Sequence, residues 1–218
     1  MEYLVDSQFL TLNKPCKMKK IVILSLLLIV CAAVKAQFRK IDSTTVNKFT
    51  LAAGLSQPII LKGYNIAGAY FTKNFTFEWS HGWSLNPPLD DEQKEQNLEF
   101  TVKWTTGPGF GYRISKSLDV RLEFKAHRYE VNFKNEQVKI NYTGFTIGPG
   151  MYYRIYPFKK GILRGLLIEP NIRWWPLVGS TLNNNEYKYT DANAVTQTHK
   201  AINSNFIYNM NIAWTFRR

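Results

Sequence analysis

Cysteine is scarce: of 218 residues only Cys16 and Cys31 carry a thiol, and both lie near the front of the chain. Long apolar runs are missing too. The longest, 21–34, falls short of the ~18 or more residues of a membrane-spanning helix. That front end reads instead as an export signal. Met18-Lys19-Lys20 is basic, IVILSLLLIV at 21–30 is apolar, and Val34 and Ala36 are the small residues at −3 and −1 before Gln37. The expectation is a signal peptide over 18–36, cleaved after Ala36, behind an upstream extension (1–17) that reflects a misassigned start. Cys31 follows Val30, where a lipobox would carry a smaller residue, so lipidation is not expected. With both thiols ahead of the cut, the mature chain has no disulfide, no thiolate metal site and no cysteine nucleophile.

Acidic residues are also few, 16 against 28 basic, for a net charge of +12. Losing Lys14, Lys17, Lys19, Lys20, Lys35, Glu2 and Asp6 with the leader leaves 23 basic against 14 acidic, or +9. Such a charge can serve nucleic acid or an anionic surface. Export argues against nucleic acid, and the basic residues are spread through the chain rather than gathered in one run. Histidine numbers three, and neither HExxH nor an EF-hand spacing occurs, so no metal and no cofactor are expected.

What is present is alternation. In FIYNMNIAWTF (206–216), Phe206, Tyr208, Met210, Ile212, Trp214 and Phe216 occupy one parity and mostly small or polar residues the other. This is the period of a strand with two unlike faces. Eight such strands are predicted, at 48–56, 64–71, 75–83, 98–114, 118–133, 138–156, 162–178 and 206–216. In the fourth, Leu98, Phe100, Val102, Trp104, Phe110, Tyr112 and Ile114 share a parity opposite Glu99, Lys103, Gly107, Gly109, Gly111 and Arg113. A bulge is expected at Pro108, because proline removes a ladder hydrogen bond. TTGPGFGYRI (105–114) returns as TIGPGMYYRI (146–155), two equivalent strands of one meander. Connections alternate, with TKN, SKS and PFKKG at one end and longer polar stretches, including 84–97 and 179–205, at the other.

The predicted fold is all-β, an eight-stranded antiparallel up-and-down barrel. Two forms fit: a soluble lipocalin-like carrier with its apolar face inward, or a transmembrane barrel with that face in lipid. The transmembrane form is favoured. The polar parity is rich in glycine and in charges of both signs, and aromatics collect near the strand ends, where membrane girdles sit. The expected lumen charge network is Lys103, Arg113, Asp119, Arg121, Glu123, Lys125, His127, Arg154, Glu169 and Arg173. The expected girdle and closing strand comprise Trp79, Trp83, Tyr112, Tyr153, Trp174, Phe206, Trp214 and Phe216, with Trp79, Trp83, Trp174, Trp175 and Phe206 assigned to the loop end. Apolar parity changes after Lys125 and again near Gly144, which marks either bulges or the level where strands leave lipid.

A signal peptide, eight alternating strands and a last strand ending Trp214-x-Phe216 resemble the small outer-membrane barrels of the OmpA/OmpX type, and the outer-membrane β-barrel proteins of Bacteroidetes-like bacteria. The resemblance spans 37–218 as a pattern and implies a short periplasmic segment (37–46) before a barrel (47–218). It further implies a monomer in the outer membrane of a Gram-negative cell. The closing alternation resembles the signal read by the barrel-assembly machinery, although Arg217 and Arg218 follow the last aromatic. The implied partners are that machinery, outer-membrane lipids and lipopolysaccharide.

Enzymatic motifs are weak. Ser80 adjoins His81, but strand neighbours point to opposite faces and make no dyad. Asp90, Asp91 and Glu92 could meet a histidine at the loop end, yet a solvated acidic loop is the simpler account. The expectation is therefore no enzyme, but a structural or surface-interacting barrel with a charge-plugged lumen. The alternatives are a narrow porin-like channel for small anionic solutes, the soluble carrier, and a barrel enzyme acting on lipid A or peptide.

Overall fold

The structure, a computed structural model, describes residues 46–87, 93–94, 98–134, 138–190, 194–203 and 206–216. The expected leader and cleavage site, the loop acids Asp90, Asp91 and Glu92, and Arg217 and Arg218 lie outside the described residues. The elements are β1 (Lys48–Gly54), α1 (Ser56–Ile60), β2 (Tyr64–Phe71), β3 (Phe75–Leu85), β4 (Leu98–Arg113), β5 (Leu118–Phe133), β6 (Val138–Tyr153), β7 (Leu166–Trp174), β8 (Leu177–Ser180), β9 (Glu186–Thr190), β10 (Thr196–Lys200) and β11 (Phe206–Phe216).

Each of β1 to β6 pairs antiparallel with its successor, and β7 pairs with β11. β11 then pairs with β1, from Phe49↔Phe216 to Gly54↔Asn211, and closes an eight-stranded antiparallel barrel. Closure satisfies the edges that an open sheet would leave unpaired.

The apolar parity faces outward through the lower barrel. Trp79, Tyr112 and Phe206 are 58%, 58% and 62% exposed, while Glu78, Gly111 and Asn209 behind them are buried. The inward apolar lining that a lipocalin-like carrier needs is thus replaced by polar side chains in this section. On β3 the outward band runs from Phe75 to Trp83, close to the about 9–11 residues that cross a hydrocarbon layer.

Above the band the faces exchange. β4, β5 and β6 extend further than the other strands, and there Glu99, Lys103 and Lys139 point out. Leu98, Phe100, Val102, Tyr129, Val131, Phe133, Ile140 and Tyr142 point in and form an apolar core with Leu85 and Ala201. The single outward parity expected across 98–114 is therefore corrected. A register irregularity between Val102 and Trp104 turns Leu98, Phe100 and Val102 inward, and a matching kink falls on β3 at Ser84, whose φ is 55°. The bulge is not at Pro108, whose strand stays in register with β3 through Trp79↔Pro108. β5 needs no bulge, since its pairing with β6 is continuous from Leu118↔Tyr153 to Phe133↔Val138. Its change of apolar parity marks the height at which the interior turns from polar to apolar.

Glycine has a specific task at Gly107. Its φ is 152°, and a Cβ there would stand 1.9 Å from the Phe124 carbonyl oxygen, so only glycine lets β4 approach β5 at this point.

The predicted seventh strand is shorter than expected. A 3-10 turn occupies Ile162–Gly165, β7 follows, and the chain breaks at Trp175-Pro176 before β8 rejoins the upper part of β6. The long polar stretch after it contains the β9–β10 hairpin, and the connection after β1 contains α1; neither was visible in the alternation. Ala201 N–H donates to Asn185 O at 2.8 Å, and Ile202 N–H donates to the Tyr142 hydroxyl at 2.9 Å, which tie the segment after β10 to the upper core.

His199, on β10, is buried against Phe133 and Tyr142, with ring centroids 5.4 and 6.1 Å away. This apolar setting disfavours the imidazolium and pushes its pKa down to about 4 from 6.5. A depressed histidine stabilises the docked hairpin above the pKa of the released form, and that contribution is lost as pH falls from about 6.5 towards 4. Hydrogen exchange of the β10 amides, corrected for intrinsic rates, is therefore expected to accelerate relative to β5 between pH 7.5 and 5. His199→Phe should remove the pH dependence, and an unchanged profile in that variant would refute this account.

Candidate functional site

The interior is built by the inward parity of strands that are remote in sequence. Arg121 on β5 is its centre. Its Nε lies 2.6 Å from Asp119 and an Nη lies 3.1 Å from Glu169 on β7, while the other Nη donates to Glu78 on β3. The guanidinium stacks over the Tyr152 ring at 3.6 Å. Glu169 also accepts from Asn211 at 3.2 Å, and Asn211 accepts from Asn209 at 2.7 Å, so the closing strand joins the network.

A second cluster lies above it. Lys125 Nζ donates to Ser80 Oγ at 2.7 Å and to the Gly107 carbonyl at 2.9 Å, and stands 3.4 Å from Glu123. Glu123 accepts from the Tyr152 hydroxyl at 2.5 Å, which bridges the clusters. Arg173 packs on Trp175 at 4.5 Å, and His127 shares a 2.9 Å hydrogen bond with Thr146. Below Arg121, Arg154 pairs with Asp119 at 2.7 Å and rests on Phe71, which Arg113 also covers; Arg113 donates to the Thr72 carbonyl. The sequence repeat explains this symmetry, since Arg113 and Arg154 are equivalent positions flanking Asp119.

Glu78, Asp119, Glu123 and Glu169 thus share the interior with Arg113, Arg121, Lys125, Arg154 and Arg173, one cation more than anions, all of them buried. Nine of the ten residues predicted for the interior are inside. Lys103 is not. It stands beyond the bulge, on the outer face, 3.0 Å from Glu130, with 48% of its side chain exposed. The reversal of parity at Val102/Trp104 moved it. Glu78 was missed by the sequence reading, although its place between Phe77 and Trp79 in an alternating strand marks it as inward.

Among the aromatics, Trp83, Tyr112, Trp174, Phe206 and Phe216 are exposed on the outer surface, and Tyr153 and Trp214 lie half-buried on it. Trp83 pairs with Tyr64, and Trp174 stacks on Phe206 at 6.2 Å, at the loop end. Tyr112 against Phe75 and Phe216 against Phe49 mark the turn end. Trp79 does not belong to the loop-end ring. It pairs with Gly68 and Pro108, midway between Phe75 and Trp83. Trp175 faces inward, 5% exposed, because the chain kinks before Pro176.

The histidines stand apart. His81 is outward beside Trp83, His127 is in the interior and His199 is under the hairpin. Among the described residues no group of three or more His, Asp or Glu is placed to hold a metal ion.

No protein-family model matches the chain, and no curated protein does. Solved structures that resemble it include two outer-membrane proteins. The attachment invasion locus protein Ail of Yersinia pestis aligns with a TM-score of 0.43 at 9% identity, over 78% of this chain and 99% of that one. A major outer membrane protein from Thermus thermophilus aligns with a TM-score of 0.40 at 10% identity, over the same shares.

Proposed function

We propose that the chain is a barrel of the bacterial outer membrane, with a lumen sealed by its own ion pairs and a rigid extension of β4–β6 presented at the cell surface. The carrying observation is the exchange of faces along single strands. Where the outside is a continuous apolar band edged by aromatics, the inside is charged; where the outside turns polar, the inside becomes an apolar core. A soluble barrel has no reason to expose that band to water, whereas lipid over part of its height requires it.

The lumen argument rests on the interior network. An eight-stranded barrel is only wide enough for side chains to fill. Here salt bridges and rings cross it from β3, β5, β6 and β7, leaving a plug rather than a path. Lys103, Arg128 and Lys139 project just beyond the apolar band and support a lipopolysaccharide contact. The second reading, a narrow channel for small anions, draws on the single excess cation inside.

The test begins with outer-membrane fractions run boiled and unboiled on a detergent gel. A folded barrel shifts mobility on boiling. Release as a soluble protein by osmotic shock, with no shift, would overturn the membrane assignment. The refolded barrel is then placed in planar bilayers. The sealed lumen predicts no conductance above the bare bilayer, whereas anion-selective steps that change in Arg173→Ala would favour the channel.

A further inference from the structure

Among the described residues, the exposed charges at the turn end of the barrel are basic. Lys48, Lys73, Lys159 and Lys160 stand on it, half-buried or exposed. No exposed carboxylate accompanies them among the described residues. Asp119, near the start of β5, is buried and held by Arg121 and Arg154. The opposite end is mixed, with Glu99, Glu130 and Glu186 among its lysines.

The connection from β6 to β7 concentrates the basic charge and adds a second feature. In PFKKGILRG (157–165), Ile162 is 89% exposed, and Phe158 and Leu163 are exposed beside Lys159, Lys160 and Arg164. Gly161, at φ 76°, lets the chain reverse there. The base of the turn is locked on the girdle, since a Cβ at Gly165 would stand 2.8 Å from the Trp214 ring. An exposed apolar tip flanked by cations, with its base beside the outward band, is the arrangement of an interfacial segment that binds anionic lipid.

We infer that the turn-end rim, centred on 157–165, binds the phosphates of anionic phospholipid in the adjoining leaflet. This rests on the membrane reading above. An acidic protein would match the basic side chains, but not the exposed Phe158, Ile162 and Leu163 among them.

The mature chain is folded in detergent, its heat-dependent gel shift is recorded, and native mass spectrometry then counts bound phosphatidylglycerol against phosphatidylcholine of matched acyl chains. The wild type is expected to retain phosphatidylglycerol preferentially. Lys159→Gln/Lys160→Gln/Arg164→Gln should lower that preference several-fold, up to about fivefold for each charge removed. Lys159→Arg/Lys160→Arg should keep it, as should the loop-end control Lys62→Gln/Lys188→Gln/Lys200→Gln. Equal retention of both lipids by the wild type, an equal loss in the loop-end control, or displacement of the lipid by poly-glutamate would overturn the proposal; the last would assign the rim to an acidic partner. Absence of the gel shift in the wild type would instead sink the barrel reading itself, and this inference with it.

Discussion

Arg121→Ala is expected to destabilise the folded barrel by about 3–5 kcal/mol, the cost of breaking a buried ion cluster by removing one partner. Arg121 is the common cation of Asp119, Glu78 and Glu169, and its side chain is 0% exposed. Without it, three carboxylates from three strands face one another in a space that water enters only by disrupting the packing. Their repulsion acts across β3, β5 and β7, so the whole interior is loosened rather than one strand. Urea titration of the barrel in detergent, read by loss of the heat-dependent gel shift, gives the change in midpoint. Lys103→Ala is the control. It removes the same charge from an exposed pair with Glu130, and such pairs are worth about 0–1 kcal/mol. If the two variants unfold at the same urea concentration, the interior network does not hold the barrel together and the sealed-lumen reading loses its physical basis.

The second large effect concerns the outside. Leu122 is 47% exposed and lies near half-height, paired with Phe110 on β4 and Pro149 on β6. On a soluble protein, Leu122→Arg at such a site would change stability within about 0.5 kcal/mol. With lipid against it, a guanidinium at mid-depth costs roughly 2–4 kcal/mol. Refolding the variant into phospholipid vesicles, with urea midpoints compared to wild type, separates these outcomes. The same change at the rim, Tyr112→Arg, should cost much less, because the long side chain reaches the headgroups from there. A depth-independent result would mean that the outward band meets something other than a bilayer.

Both predictions depend on which face of each strand looks inward, and alternation makes that only partly legible. Within β5 the inward set Asp119, Arg121, Glu123, Lys125 and His127 is visible as a charged parity, and the strand runs without a bulge. β11 is equally plain, and the TTGPGFGYRI repeat announced the matching positions of Arg113 and Arg154. Leu98, Phe100 and Val102 were misread because nothing in their parity differs from that of Phe110 and Tyr112. One extra residue near Lys103 reverses the facing of everything before it, and a shift of one residue exchanges the two faces of a strand. Lys103 moved outside for the same reason. Trp175 turned inward because the chain breaks beside Pro176, and α1 and the β9–β10 hairpin are too short to leave a periodic trace.

The amino-acid sequence by itself determined the strands, their two unlike faces, the short and long ends of the barrel and the stock of charges that fill it. These are local properties, set by side-chain period and turn chemistry. Only the tertiary structure decided that Glu78, Asp119 and Glu169 converge on one guanidinium, that the upper strands invert their faces around an apolar core, and that the basic turns gather on one rim. Those results depend on interstrand register and on closure of β1 against β11, which bring residues distant along the chain to the same height. Alternation within a strand carries no information about that height.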